Sequence, residues 1–234
     1  MAVIKLSKRM QTVADMANGK RIADIGCDHA FVSIYLMQSK KAENVIAMDV
    51  KKGPISIAED NIKMYGLQDF ISVRLSNGFS AVKVGEIDCA IIAGMGGRLI
   101  VDILRAGSCH MENGINLVLQ PQSDIDEVRR YLYENSYKIT EEQMLVEEGK
   151  YYTIIKAEQS DNVSEYSEVE LLYGRYLLNT KNEILKQYLK DSKKKNCMIK
   201  ESLKLVHTDS SDIRLHELEH ENAIIDLALQ MYNS

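Results

Sequence analysis

The feature that most constrains this chain is a repeated alternation in its N-terminal part. Short, nearly all-apolar runs at 21–25, 44–49, 71–75, 88–93 and 115–120 are separated by stretches with helical spacing at 30–38, 54–65, 97–106 and 125–135. A strand that is apolar at almost every position has to be covered on both faces, and strands joined through helices run parallel. The pattern therefore predicts a parallel sheet with helices on both sides. Pro54 suits the first turn of its helix, where a missing N–H costs nothing. Ahead of the first strand, Leu6, Met10, Val13 and Ala17 fall at helical spacing, with Ser7 as the N-cap. Beyond the last parallel strand, 137–147 and 151–157 read as a hairpin across "EEGK", with Gly149 in the turn.

The composition changes between 159 and 165, and only helices are expected after it. Leu171, Leu178, Leu185, Ile199 and Val206 recur every seven residues, with Ser192 in one slot and Leu189 and Leu203 in the alternate position. After "HTDSSD", Leu218, Ile225 and Tyr232 repeat at the same interval. Two heptad helices joined by a short turn predict an antiparallel coiled-coil hairpin. The domain boundary is drawn at 160/161.

With 45% hydrophobic and 27% charged residues, the chain has the profile of a globular protein with a real core. No window approaches the roughly 18 consecutive apolar residues of a membrane span. The segment "MAVIKLSKRMQTVADM" has basic residues and no long apolar region, unlike a secretory signal. Cys27, Cys89, Cys109 and Cys197 are scattered, without C-x-x-C or zinc spacing. Free thiols, a cytoplasmic location and no metal are the expectation. The net charge of -5 does not by itself suggest a polyanion partner.

The stretch "IADIGCDHAF" leads from the first strand into the second helix. Gly26, Asp28 and Phe31 occupy the positions at which a dinucleotide-binding loop carries three glycines. A carboxylate at the second of them repels a pyrophosphate. It suits a ligand that has no phosphate and is cationic, which is the description of S-adenosylmethionine with its sulfonium and ammonium. Asp49, at the end of the second strand, suits two ribose hydroxyls. By itself the glycine pattern is equally served by a structural strand–turn–helix. "SNG" after the third strand offers Asn77 to an adenine edge beside Gly78. "AGMGG" after the fourth carries Gly94, Gly96 and Gly97 around Met95, more glycine than a tight turn requires. "LQPQ" follows the fifth, with Pro121 stiffening it.

In order, "KLSKR", "ADIGCDHA", "KGP", "AGMGG" and "LQPQ" resemble the bacterial tRNA (adenine-22-N1)-methyltransferases, most closely over 5–157. The resemblance implies an α/β fold, a Rossmann-like class I methyltransferase sheet of parallel strands plus a terminal antiparallel hairpin. It implies a catalytic domain at 1–160 that binds S-adenosylmethionine, and a C-terminal α-helical coiled-coil domain at 161–234. The acceptor implied is N1 of an adenine in the D-arm region of tRNA. The expected cofactor contacts are Asp24, Gly26, Cys27, Asp28, His29, Asp49, Val50, Asn77, Gly78, Gly94, Met95 and Gly96. Asp28, His29 and Gln122 are the candidates at the reacting centre, although the family commonly has asparagine at the last position. His29 is as well suited to bonding the loop backbone. Lys8, Arg9, Gly96, Gly97, Lys193, Lys194 and Lys195 are the candidate tRNA contacts, since seven lysines between 186 and 204 face only Asp191 and Glu201 in that interval. A flipped adenine would stack on Phe31, Tyr35 or Met95, each equally suited to the core. A monomer or weak dimer is expected. The alternatives are a class I methyltransferase acting on another RNA position or a protein, a non-catalytic S-adenosylmethionine- and tRNA-binding protein, and a nicotinamide oxidoreductase.

Overall fold

The computed structural model describes residues 4–205 and 208–233. The chain divides into two compact units, Met1–Ser164 and Glu165–Ser234.

The first unit is built on a seven-stranded sheet. In chain order its elements are α1 (Lys8–Met16), β1 (Arg21–Ile25), α2 (Phe31–Gln38), β2 (Asn44–Asp49), α3 (Lys52–Met64), β3 (Ile71–Leu75), β4 (Cys89–Met95), α4 (Gly97–Ala106), α5 (Ser108–Glu112), β5 (Asn116–Pro121), α6 (Ile125–Glu134), β6 (Tyr137–Glu147) and β7 (Lys150–Gln159). The strands lie in the order β3-β2-β1-β4-β5-β7-β6. β3 through β5 pair in parallel, and β7 is antiparallel to both β5 and β6. The central strands are dry: Ile22, Ala23, Ala47, Met48, Ala90, Ile91, Ile92 and Leu117 are fully buried. This is what their unbroken apolar runs require. Chain order reverses between β1 and β4, so a crevice opens at their carboxyl ends, where open α/β sheets bind ligands.

Local chemistry sets the boundaries. Ser7 caps α1 by accepting from Met10 N, and Val13 and Ala14 on its inner face are fully buried. The hairpin turns through Glu148 at φ 50° and Gly149 at φ 73°, the left-handed pair that a two-residue hairpin turn demands. β4 runs two residues past the expected end at 93, because a bulge at Gly94 lets Met95 rejoin β5 opposite Pro121. The short α5 is not signalled by any periodic pattern.

The second unit corrects the expectation of one long first heptad helix. Leu171, Leu178 and Leu185 lie on three successive helices, α7 (Glu168–Tyr173), α8 (Arg175–Asn179) and α9 (Glu183–Leu203). The breaks come at Gly174, with φ 87°, and at Asn182, which caps α9 by accepting from Ile184 N and Leu185 N. All three leucines are nevertheless buried, as is Leu189. α9 and α10 (Asp209–Gln230) run antiparallel: Lys200 meets Glu219 at 3.0 Å, Asn196 meets Glu221 at 3.0 Å, and Lys193 meets Asp226. Leu218 and Ile225 occupy the buried side of the second helix, as their interval predicts, and Tyr232, just past its end, is buried as well. Val206 lies outside the described residues.

Candidate active site

The carboxyl ends of β1 and β2 converge on one loop. The N–H groups of Gly26 and Cys27 both donate to Met48 O at 2.8 Å, so the β1–α2 turn is pinned to β2. Gly26 has φ 78°, and a side chain on it would start 2.2 Å from Met95 Cε. The Met95 thioether thus lies directly over the Gly26 backbone. Asp28 and Ala30 are both left-handed, at φ 49° and 58°. Two such non-glycine residues within three positions store backbone strain, which the surroundings have to hold. Asn61 of α3 does part of this, donating to His29 O at 3.0 Å.

Three carboxylates line this loop. Asp24 is buried and accepts from Ser33 Oγ at 2.6 Å. Burial raises its pKa to about 6 against the lowering effect of the Ser33 bonds, and Asp49 adds to the rise. Asp49 is half-buried and accepts from Lys51 N at 2.9 Å. Asp28 is exposed, with His29 Nε2 at 3.6 Å. Among the described residues no lysine ammonium or arginine guanidinium lies within 4.0 Å of any of the three. The Cys27 thiol beside them is pushed well above its ordinary range by burial and by Asp24, Asp49 and Asp28, so it stays protonated. An unbalanced acidic loop around a left-handed glycine turn fits a cationic, phosphate-free ligand and opposes a pyrophosphate.

The loops after β2 and β3 border the same crevice. Val50 is 62% exposed, and Asn77 is exposed with no side-chain hydrogen bond among the described residues. Ser76 N donates to Asp49 O at 2.9 Å, which ties that loop to the end of β2. Gly78, at φ 57°, sits against Ile103, and the next residue, Phe79, stacks on His110 at 5.0 Å between ring centres.

At the end of β4 the glycines separate in role. Gly94 is exposed and left-handed, at φ 78°. Gly96 is the N-cap of α4, with Ser123 Oγ 3.2 Å from where a Cβ would lie. Gly97 is buried against backbone: its Cβ would lie 2.3 Å from Asp124 O and 2.4 Å from Ser123 O. It serves the seating of α4 on the β5–α6 loop. Gln122 is exposed, with Nε2 beside Gly94.

Arg9 sits differently from a residue facing a polyanion. It is folded inward, donating from Nη1 to Gln120 Oε1 at 2.8 Å and lying over the Tyr152 ring at 4.8 Å. Glu147 accepts from its backbone N–H at 3.0 Å and lies 3.8 Å from its Nε. Lys8 beside it is exposed. Phe31 is 40% exposed and edge-on to His29, whereas Tyr35 is partly buried with its hydroxyl against Gln11. Gln120 itself was not among the expected site residues. The signal was an amide inside the apolar run "LVLQP", at a position where burial is expected.

In the second unit part of the lysine run is answered by acids, some distant in sequence and some one helical turn away. Lys193 pairs with Asp226 and Lys200 with Glu219, while Lys186 and Lys204 pair with Glu183 and Glu201. Lys190, Lys194 and Lys195 remain exposed, with no ion pair among the described residues. Reversing Lys194 and Lys195 to glutamate tests a polyanion contact there. Each lost phosphate contact should flatten the slope of log affinity for tRNA against log salt by roughly 0.7–0.9. An unchanged slope would assign these lysines to solvation alone.

A parallel sheet reversing at β1/β4, a terminal antiparallel hairpin and an acidic, glycine-turned β1–α2 loop define a class I, S-adenosylmethionine-type methyltransferase domain. The family model for tRNA (adenine(22)-N(1))-methyltransferases matches residues 22–227, and the chain belongs to that family. It is 36% identical over 224 residues to the tRNA (adenine(22)-N(1))-methyltransferase of Bacillus subtilis, covering 93% of this chain and 94% of that protein. The crystal structure of the B. subtilis m1A22 tRNA methyltransferase superposes with a TM-score of 0.84 at 33% identity, covering 96% and 99% of the two chains. The M. capricolum family member in complex with S-adenosylhomocysteine, the natural cofactor product, gives 0.84 at 28% identity, covering 97% and 99%.

Proposed function

We propose that the crevice at the carboxyl ends of β1, β2 and β4 is where this tRNA (adenine(22)-N(1))-methyltransferase brings S-adenosylmethionine to its acceptor adenine. The observation that carries the reading is the set of three carboxylates, Asp24, Asp28 and Asp49, around the Gly26 turn, with no lysine ammonium or arginine guanidinium beside them among the described residues. Asp49 holds the ribose hydroxyls, and Asn77 and Val50 border the adenine of the cofactor. Gly26, Cys27 and Gly78 offer backbone at close range, and Asp24 is a buried counter-charge.

The cofactor supplies an electrophilic methyl group when bound. N1 of adenine carries its lone pair in the ring plane, so the chain needs no general base before attack. Its tasks are alignment of N1 and compensation of the positive charge that develops on the base. Asp28, exposed beside the turn, is suited to the second task. His29 and Gln122 reach the space in front of Met95 and Gly96 and orient the base. Phe31, exposed at the start of α2, is the available stacking surface. Lys8 in the first unit and Lys194 and Lys195 in the second bind tRNA phosphates. Label from methyl-tritiated cofactor should enter unmodified tRNA and not protein. Labelled protein with unlabelled tRNA would reassign the acceptor.

Asp24 makes cofactor binding pH-dependent. Its folded pKa of about 6 lies above the ordinary carboxylate value, so between about 4 and 6 the folded protein holds the extra proton and stability falls as pH rises. Asp24→Asn, which keeps an oxygen for Ser33, should therefore gain stability over the native protein at pH 8 and lose that advantage towards pH 4. A cationic ligand favours the ionised Asp24, so native affinity should weaken as pH falls through about 6, and less steeply in the variant. Calorimetric titrations from pH 8 to 5 with parallel slopes for both proteins would remove Asp24 from the cofactor's field.

A further inference from the structure

Gln120 stands where α1 and the carboxyl ends of β4 and β5 meet. It is fully buried at the end of β5. Its Oε1 accepts from Arg9 Nη1 at 2.8 Å and from Gly94 N at 3.1 Å, and its Nε2 donates to Pro121 O at 3.1 Å. The second of these bonds falls on a special position. β4 and β5 pair in register up to Ala93 opposite Gln120, and the ladder resumes with Met95 opposite Pro121. Gly94 is the inserted residue, and a bulge leaves such a residue without a ladder partner. The Gln120 side chain supplies the acceptor that the neighbouring strand does not. Beyond the bulge, Gln122 N donates to Met95 O at 2.8 Å and closes the ladder again.

We infer that Gln120 is a positioning residue for methyl transfer: it holds the Gly94 bulge and the Arg9 guanidinium in one arrangement, and so sets the shape of the wall that the acceptor base meets. This rests on the assignment of the β4–α4 segment to the acceptor side. The bulge re-aims the chain from Met95 to Gly97, which carries the thioether over Gly26 and the N-terminus of α4. Arg9 Nη1 and Gln122 Nε2 each come within 3.8 Å of the Cβ position at Gly94. Arg9 is in turn fixed by Glu147 and by the face of Tyr152, and its buried Nε has no hydrogen bond among the described residues. Helix α1 is thereby fastened to the acceptor wall through one amide. A buried glutamine at the end of an apolar strand is costly unless its amide is used, and here the oxygen is used twice.

The test compares Gln120→Met, which keeps volume and length without hydrogen bonds, with Gln120→Glu, which keeps both accepted bonds. For Gln120→Met we expect kcat on unmodified tRNA to fall about 10–100-fold, the scale of a small misplacement of reacting groups. Cofactor Kd by calorimetry should stay within about twofold, because Asp24, Asp28 and Asp49 are untouched. Gln120→Glu should recover most of kcat. Arg9→Met, at a partly exposed side chain, serves if the methionine variant fails to fold. It should lower kcat in the same direction without changing cofactor affinity. Native kcat in the folded Gln120→Met protein overturns the inference, as does a parallel loss of kcat, cofactor affinity and thermal midpoint that glutamate does not reverse. A failure of the native protein to methylate tRNA would strike the functional reading instead, and is seen in the control arm.

Discussion

Gly97→Ala is expected to lower the thermal midpoint and suppress methyl transfer together. The added methyl would lie 2.3 Å and 2.4 Å from the backbone oxygens of Asp124 and Ser123, closer than any real contact. Neither oxygen belongs to a flexible side-chain end, so α4 or the β5–α6 loop has to move. Overpacking of this kind costs about 1–3 kcal/mol. At roughly 2–4 °C per kcal/mol for a chain of this size, the shift is easily measured. The same displacement breaks the Gly97 N to Ser123 O bond at 2.9 Å and carries Gly96 and Gln122 out of place. Gly53→Ala is the matched control for stability. Nothing lies within 4 Å of its Cβ position inside α3, so it should be neutral or slightly stabilising. A Gly97→Ala protein with native midpoint and turnover would mean that the 97/123 contact is not tight in solution.

Asp49→Ala should weaken S-adenosylmethionine binding by about 1.5–3 kcal/mol, the worth of hydrogen bonds to a charged group, or roughly 10–100-fold in Kd. The structural cost is small. The carboxylate is half-buried, and its one hydrogen bond among the described residues is from Lys51 N, just ahead of α3. Asp49→Asn keeps an acceptor for Lys51 N and removes the charge, so it separates the ribose contacts from the local turn. An intermediate affinity is expected for it. Unchanged affinity in the alanine variant would take Asp49 out of the site.

What could be read from the sequence depended on the range of the interactions. β1 and β2 begin and end where their apolar runs do, because burial on both faces writes itself into nearly every position of a central strand. The end of β4 was not legible, because the bulge depends on a side chain 26 residues away in β5. The α1 helix and its Ser7 cap were plain from spacing. That Arg9 turns inward was not, because its partners Gln120, Glu147 and Tyr152 come from three other strands. The heptad repeat found the buried leucines of the second unit and missed the breaks at Gly174 and Asn182, since periodicity reports a face and not continuity. Its lysine run looked strongly cationic only until α10 brought Glu219 and Asp226 alongside. The acidic turn from Asp24 to His29 was legible as chemistry. Its left-handed Ala30 was not, since alanine does not announce such a conformation; aspartate is enriched in it, but most aspartates do not adopt it, so Asp28 alone was no more than compatible with the turn.

The most direct test of the account is nucleoside mass spectrometry of unmodified tRNA after reaction with the protein and S-adenosylmethionine, with site mapping by nuclease fragments. The account predicts a single new 1-methyladenosine, at position 22, absent when that adenine is replaced by guanine. Methyl groups at another position, on another base atom, or undiminished in the guanine-22 tRNA would contradict it.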